Sequence, residues 1–154
     1  MTQAHGEASF AARIDADPTR VWSIIRRFAA EADWNPIART SRLVAGEDGV
    51  PGAVRELVTP DGTMVREQLV ALDDRSRRLR YRMLTFPIPV TDQENEIGVE
   101  PTEQAGVSRI TFGARFVPAT GVPAADIVAI NISAFAAAAA GLDRHLKRQV
   151  DGGL

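Results

Sequence analysis

Six short segments with strand character follow one another between residues 39 and 117, and one long helical segment comes after them. Proline, glycine and aspartate occupy the breaks between the segments, as is typical of turns. Because connections this short join neighbouring antiparallel strands, the pattern predicts a single antiparallel sheet. The predicted strands span residues 39–45, 53–59, 64–73, 79–84, 92–100 and 107–117.

The two ends of the chain add a seventh strand and two helices. Residues 8–14 alternate as a strand does, and Asp17 and Pro18 then supply an N-cap and a proline at the first helical position. Pro123 opens a helix that continues to about Gln149, which makes it about 40 Å long at about 1.5 Å per residue. Only this helix is long enough to cover the sheet. The predicted fold class is therefore α+β, with a seven-stranded curved antiparallel sheet around a long C-terminal helix and a short helical region after the first strand.

Composition excludes several classes of function. The 154 residues fit one domain, 1–154, and 18 basic against 20 acidic residues leave no basic surface for nucleic acid or an acidic membrane. The absence of cysteine excludes disulfides, thiolate nucleophiles and cysteine metal ligands. With two isolated histidines, no metal site is expected. The first seven residues show no signal-peptide pattern, so the expected compartment is the cytoplasm.

Period-two alternation predicts that polar side chains share the inner face of the sheet with apolar ones. In residues 53–59 the faces stay ambiguous, because Arg55 lies beside Leu57 and Glu56 lies beside Val58. A buried unpaired polar group costs about 1–3 kcal/mol, so the inward polar groups either pair with one another or line a wet cavity. The second alternative predicts a pocket. Its polar members are Arg39, Ser41, Glu67, Tyr81, Gln93 and Asn95 from the sheet and Asn131 from the helix.

Several motifs resemble the START-like, helix-grip group that includes the birch-pollen allergens. They are DPTRVW at 17–22 and WNP at 34–36, together with the order of the elements. VREQLVALDD at 65–74, RYRM at 80–83 and PIPV at 87–90 are similar to the bacterial polyketide cyclase/dehydrase-like branch and to the plant abscisic-acid receptors. The prolines at 87 and 89 replace the receptors' gate residues, so receptor-like signalling is not implied. The resemblance extends from about Ala8 to Leu146.

The resemblance implies a large cavity between the sheet and the helix. It places Arg39 at a pocket cation that meets an acidic ligand, and Glu67 at a pocket carboxylate. From the residues themselves, Glu67 can act as a general acid or base, Arg39 can stabilise an oxyanion, and Tyr81 can donate a hydrogen bond. An ion pair between Arg39 and Glu67 is the structural alternative. The predicted substrate-binding residues are Ser41, Leu57, Val65, Met83, Ile88, Gln93, Asn95, Phe112, Ile127, Asn131 and Phe135.

The predicted function is a cofactor-independent cyclase or dehydratase that folds a small hydrophobic polycarbonyl compound and moves a proton through Glu67. The substrate can be free or bound to a carrier protein, and monomer and homodimer both stay open. A non-catalytic carrier of a lipid or an apolar acid is the main alternative. A weaker one is a regulatory module whose 87–90 loop closes over a ligand to create a protein-binding surface.

Overall fold

The computed structural model describes residues 5–152, and the side chains of residues 5–150. Residues 1–4 and 153–154 lie outside this range. The ends of the predicted domain 1–154, and most of the segment expected to lack a signal peptide, therefore fall outside the described residues. Strand β1 (Gly6–Ile14) leads into helix α1 (Pro18–Ile25), and a 3₁₀ helix (Phe28–Asp33) follows. The predicted cap of α1 is present, since a carboxylate oxygen of Asp17 accepts a hydrogen bond from the Thr19 amide at 2.9 Å.

The described residues contain six further strands: β2 (Thr40–Ala45), β3 (Val54–Val58), β4 (Met64–Asp73), β5 (Arg78–Met83), β6 (Val90–Pro101) and β7 (Ser108–Pro118). Together with β1 they form one antiparallel sheet in the order β1-β7-β6-β5-β4-β3-β2. Apart from β1 joining β7, each strand pairs with its neighbour in sequence, as the short turns predict. The sheet curves around helix α2 (Ala124–Gly152), so the α+β helix-grip prediction is confirmed.

Helix α2 forms one wall of the hydrophobic core. Its buried stripe includes Ile127, Asn131, Phe135 and Leu142, which follow helical spacing. Near its C-terminal half, a side chain at Gly141 would place its Cβ 2.5 Å from the Trp34 carbonyl oxygen, so glycine permits a close approach. Within the described part of the chain, α2 is the one helix long and apolar enough to cross a membrane. Its apolar stripe packs on the sheet, as expected for the core helix of a globular domain.

Strand β3 is ambiguous in sequence because both of its faces are covered. Arg55 points to the core and is 2% exposed, while its neighbour Glu56 lies on the outer face and is 7% exposed. Directly opposite Glu56 on the two adjacent strands stand Arg42 and Arg66. Their guanidinium nitrogens lie 3.0 Å and 3.1 Å from the Glu56 carboxylate. Two buried charges on opposite faces therefore hide the alternation that normally reveals an inner face.

Candidate functional site

A cavity of about 160 Å³ lies between the concave face of the sheet and helix α2. Side chains from the 3₁₀ helix, from β3 to β7, from the 84–89 turn and from α2 line it. Most of the predicted site residues are among them: Leu57, Val65, Glu67, Tyr81, Met83, Ile88, Gln93, Asn95, Phe112, Asn131 and Phe135. Pro87 belongs to the 87–90 loop that was expected beside the ligand. The lining residues outside the predicted set are Glu31, Asn35, Ile37, Thr59, Ile97, Ile130, Ala134 and Ala138.

Three predicted site residues lie elsewhere. Arg39 is exposed and precedes β2, so its predicted inward position and its ion pair with Glu67 are wrong. Ser41 faces the 3₁₀ helix, where its hydroxyl accepts a hydrogen bond from the Ala32 amide at 2.9 Å. This happens because the 3₁₀ helix covers the inner side of the edge strand β2 and separates it from the cavity. Ile127 is fully buried in the core and does not line the cavity.

The buried cation of the site is Arg55, which bridges two carboxylates. Its Nε donates to Oε1 of Glu67 at 3.0 Å, and its Nη2 lies 2.9 Å from the same oxygen. Its Nη1 donates to Oε2 of Glu31 at 2.9 Å. Arg55 and Glu67 are directly opposed on β3 and β4, so the sheet register brings them together. Glu31 arrives from the 3₁₀ helix, a contact that no strand pattern can predict.

Aromatic and backbone groups complete the surroundings of Arg55. Its guanidinium carbon lies 4.0 Å from the ring centre of Phe28 and 4.7 Å from that of Tyr81, which are cation–π distances. Its Nη1 also donates to the Phe28 carbonyl at 2.9 Å. Burial by itself would lower the pKa of Arg55, but Glu31 and Glu67 more than offset that effect and raise it. Arg55 is therefore a permanent cation whose Nε and Nη1 hydrogen bonds are directed at its own neighbours, while its buried Nη2 makes an ion-pair contact with Glu67 but no hydrogen bond.

Glu67 has one carboxylate oxygen that accepts no hydrogen bond from the described residues. Burial raises its pKa, the cation of Arg55 opposes this, and the nearby charge of Glu31 adds to the rise. Both contacts with Arg55 reach Oε1, and no hydrogen bond from the described residues reaches Oε2. Because Glu67 lines the cavity, Oε2 is available to a ligand. A carboxyl with a raised pKa exchanges protons closer to neutral pH than a surface glutamate does.

Glu31 is held in place from its other side. Its Oε1 accepts a hydrogen bond from Nδ2 of Asn35 at 2.8 Å, and Oδ1 of Asn35 accepts from the Ile37 amide at 3.1 Å. Both carboxylate oxygens of Glu31 are therefore engaged, one with Asn35 and one with Arg55. Glu31 serves as a fixed counter-charge for Arg55, and Glu67 is the freer of the two carboxyl groups.

A chain of amides crosses the opposite side of the cavity and ends on Tyr81. Nε2 of Gln93 donates to Oδ1 of Asn131 at 2.8 Å and to Oδ1 of Asn95 at 2.9 Å. Nδ2 of Asn95 then donates to the Tyr81 hydroxyl oxygen at 3.2 Å. Since that oxygen accepts from Asn95, the hydroxyl proton of Tyr81 is free to point elsewhere. Burial, and after it the charge of Glu67, raises the pKa of Tyr81, so the group stays a phenol and a donor.

The residues around the cavity do not assemble a metal-binding set. Among the side chains of residues 5–150, no three histidine, aspartate or glutamate groups converge closely enough to hold a metal ion. The two cavity carboxylates share Arg55 as their counter-ion instead. The cavity wall thus combines a buried carboxyl group, a phenol hydroxyl and an apolar surface.

The match to a known family covers nearly the whole chain. A model of the family described as polyketide cyclase/dehydrase and lipid transport matches residues 5–150. The chain belongs to this family. Its members have the SRPBCC-type helix-grip architecture, so the resemblance noted from the motifs is confirmed.

Solved structures of other proteins have the same fold. Protein XoxI of Bacillus cereus is 25% identical, with a TM-score of 0.81 over 90% of this chain and 94% of its own. An uncharacterised protein of Bacillus thuringiensis is also 25% identical, with a TM-score of 0.81 over 92% and 97% of the two chains. A protein of Thermobifida fusca is 24% identical, with a TM-score of 0.79 over 90% and 92%. The similarity to these structures supports the fold. The family description supports the general function, which is cyclase/dehydrase chemistry or the binding of small hydrophobic molecules.

We expect Gln93→Leu to destabilise this family member by about 1–3 kcal/mol, because it leaves the amide oxygens of Asn95 and Asn131 without their donor in a buried site. The free energy of unfolding from urea titration measures the effect. Gln68→Leu is the matched control, since Gln68 is half-buried and bonds only the Gly52 carbonyl at the surface. Equal stability of the two variants would show that the amide chain contributes nothing.

Proposed function

We propose that the protein is a cofactor-independent dehydratase or cyclase for small polycarbonyl compounds, with Glu67 as the proton-exchanging group. The observation that carries the proposal is the Oε2 oxygen of Glu67, which is free of protein hydrogen bonds from the described residues and belongs to a largely buried carboxyl group that lines a mainly apolar cavity. Tyr81 lies in the same cavity and has a hydroxyl proton to donate.

In the proposed dehydration, Glu67 is both the base that removes a proton and the acid that returns it. Oε2 of ionised Glu67 removes a proton from the carbon next to a substrate carbonyl, and the electron pair of that C–H bond forms an enolate. Tyr81 donates a hydrogen bond to the enolate oxygen, where charge develops. The enolate then expels the hydroxyl group at the next carbon, Glu67 returns its proton to that oxygen, and water leaves. The cavity contributes by holding the reacting carbons in one conformation.

Cyclisation uses the same first step. The enolate formed at Glu67 attacks a second carbonyl of the same molecule, which forms a carbon–carbon bond and an alkoxide. The proton held by Glu67 then neutralises the alkoxide. Loss of water as above completes an aldol condensation, so one carboxyl and one phenol donor serve both reactions.

A non-catalytic carrier is the second candidate, and one observation favours it. Gln93, Asn95 and Asn131 satisfy one another, so the polar wall is stable without a substrate. The family description also includes lipid transport. A carrier would bind one molecule per chain and release it unchanged, whereas the proposed enzyme would turn over many.

The test uses 3-hydroxycyclohexanone, a neutral one-ring β-hydroxyketone whose loss of water gives a conjugated, ultraviolet-absorbing enone. We expect more than one enone per protein chain from the wild type, and only the uncatalysed rate from Glu67→Gln. Native mass spectrometry run alongside measures stoichiometric binding. If the probe binds one to one and is recovered unchanged, the carrier replaces the enzyme as the better proposal.

A further inference from the structure

The charges at the cavity are distributed unevenly. Two carboxyl groups, Glu31 and Glu67, line it, and none of its lining residues is lysine, arginine or histidine. The cation Arg55 lies behind the two carboxyls rather than in the cavity wall, and both of them already bind it. An incoming carboxylate would therefore meet two carboxyl groups at close range without a free cation to receive it. Burial strengthens this repulsion, because the interior screens charge far less than water does.

The hydrogen-bonding groups offered to a ligand suit a carbonyl oxygen. Tyr81 presents a hydroxyl proton, and Oε2 of Glu67 presents another whenever the carboxyl is protonated. The charged and titratable groups that face Glu67 are Arg55 from β3, Glu31 from the 3₁₀ helix and Tyr81 from β5. With Glu67 protonated, the charges of Arg55 and Glu31 cancel, so the cluster is neutral. Burial and Glu31 raise the pKa of Glu67, which favours this state.

The size of the cavity limits the ligand to about one ring. Its volume is about 160 Å³, and a cavity of about 150 Å³ is known to hold a benzene molecule. The rings of Phe112 and Phe135 are stacked, with their centres 5.4 Å apart and an angle of 16° between their planes, and they offer a flat apolar surface. Leu57, Val65 and Met83 supply the rest of the apolar wall.

We propose that this cavity selects neutral carbonyl compounds the size of one six-membered ring and discriminates against carboxylates of the same shape. The inference rests on the proposed function, because it uses the same cavity and names the substrate class. The proposed neutral ligand differs from the acidic ligand that the resemblance to the abscisic-acid receptors implies, because the cation of this site is already bound by two carboxylates.

Three one-ring probes of nearly identical shape test the charge preference: benzamide (neutral), benzoate (anionic) and benzamidine (cationic). Dissociation constants are measured by ligand-observed NMR at pH 7. We expect benzamide to bind at least about tenfold more tightly than benzoate, because benzoate loses its hydration in a cavity whose cation is already bound by two carboxyl groups. Whenever Glu67 is ionised, its charge repels benzoate in addition. Benzoate binding as tightly as benzamide overturns the proposal. So does benzamidine binding most tightly, or no benzamide binding at millimolar concentration.

Two alanines of helix α2 show whether the probes occupy the cavity. Ala134 lines it, whereas Ala140 is exposed on the same helix. We expect Ala134→Trp to abolish benzamide binding and Ala140→Trp to leave it unchanged. Equal binding by both variants would place the probe elsewhere and overturn the proposal.

Variants of the carboxyl cluster separate this inference from the proposed function. Glu67→Gln keeps the cluster neutral, so benzamide should bind and benzoate should still be rejected. Glu31→Gln/Glu67→Gln leaves the charge of Arg55 unmatched, and benzoate should then bind more tightly than benzamide. If the double variant does not fold, the wild type and Glu67→Gln still decide the question. A retained benzamide preference without turnover refutes only the catalytic role, and turnover with a benzoate preference refutes only the charge selection.

Discussion

Replacing Arg55 with alanine is expected to lower the free energy of unfolding by about 3–5 kcal/mol, because it leaves two buried carboxylates without their counter-ion. Arg55 is 2% exposed, and Glu31 and Glu67 are each 5% exposed, so water cannot take its place readily. The change also removes the hydrogen bond to the Phe28 carbonyl and the guanidinium that contacts Phe28 and Tyr81. Urea unfolding followed by tryptophan fluorescence gives the measurement.

The control for Arg55 is Arg39→Ala, which removes an exposed arginine close by in the fold. We expect it to change stability by less than about 0.5 kcal/mol. The difference in unfolding free energy between the wild type and Arg55→Ala should become smaller as the pH falls, because protonation of Glu67 removes part of the uncompensated charge. Comparable stability of the two variants at pH 7 would mean that the buried ion cluster does not support the fold.

Replacing Glu67 with glutamine is expected to lower kcat for dehydration by about 10²–10⁴-fold, the range typical of losing a general acid or base. Glutamine keeps the shape and can still bond Arg55, but it cannot exchange a proton. The remaining Arg55–Glu31 pair is neutral, so the variant should fold. Enone formation from 3-hydroxycyclohexanone is the measurement, with the unfolding free energy recorded beside it.

Glu56→Gln is the matched control, since Glu56 is an equally covered glutamate on the outer face, paired with Arg42 and Arg66. Its kcat should equal that of the wild type. In the wild type the rate should rise with pH through the pKa of Glu67, because the ionised form removes the substrate proton, and Glu67→Gln should lose this dependence. A wild-type rate in Glu67→Gln would exclude Glu67 as the proton-exchanging group.

The same residue predicts how stability depends on pH. Burial raises the pKa of Glu67 above its ordinary value of 4.5, so the folded state holds this proton more tightly than the unfolded chain does. The contribution of Glu67 to stability is therefore largest below pH 4.5 and declines as the pH rises through its folded pKa. The difference in unfolding free energy between Glu67→Gln and the wild type should grow with pH over this window.

Much of the cavity could be predicted because its residues stand on strands with one clearly polar outer face. Arg80 and Arg82 alternate with Tyr81 and Met83, so the inner face of β5 is unambiguous. The acidic outer face of β6 places Gln93 and Asn95 inside in the same way. Their positions in the cavity wall follow from local periodicity.

The rest of the site could not be predicted because it depends on contacts between distant segments. Arg55 stood in a strand whose outer neighbour Glu56 is buried as well, so alternation offered no signal there. Glu31 lies in an irregular helical segment 24 positions before Arg55 and reaches it only after folding. The resemblance implies that Arg39 is the pocket cation, and alternation does not correct this, because Arg39 lies just before β2 and its face is not fixed by the strand.

By itself the sequence determined the order of the strands along the chain, their turns, the long covering helix and the side chains that face inward on β5, on β6 and on β4 up to Leu69, where a register shift reverses the faces. These features depend on residues a few positions apart, where alternation, helical spacing and turn chemistry act directly. Only the tertiary structure decided which arginine is buried and which carboxylates it binds. A buried charge is stable only beside its partners, and here they come from a neighbouring strand and a 3₁₀ helix that the fold alone brings together.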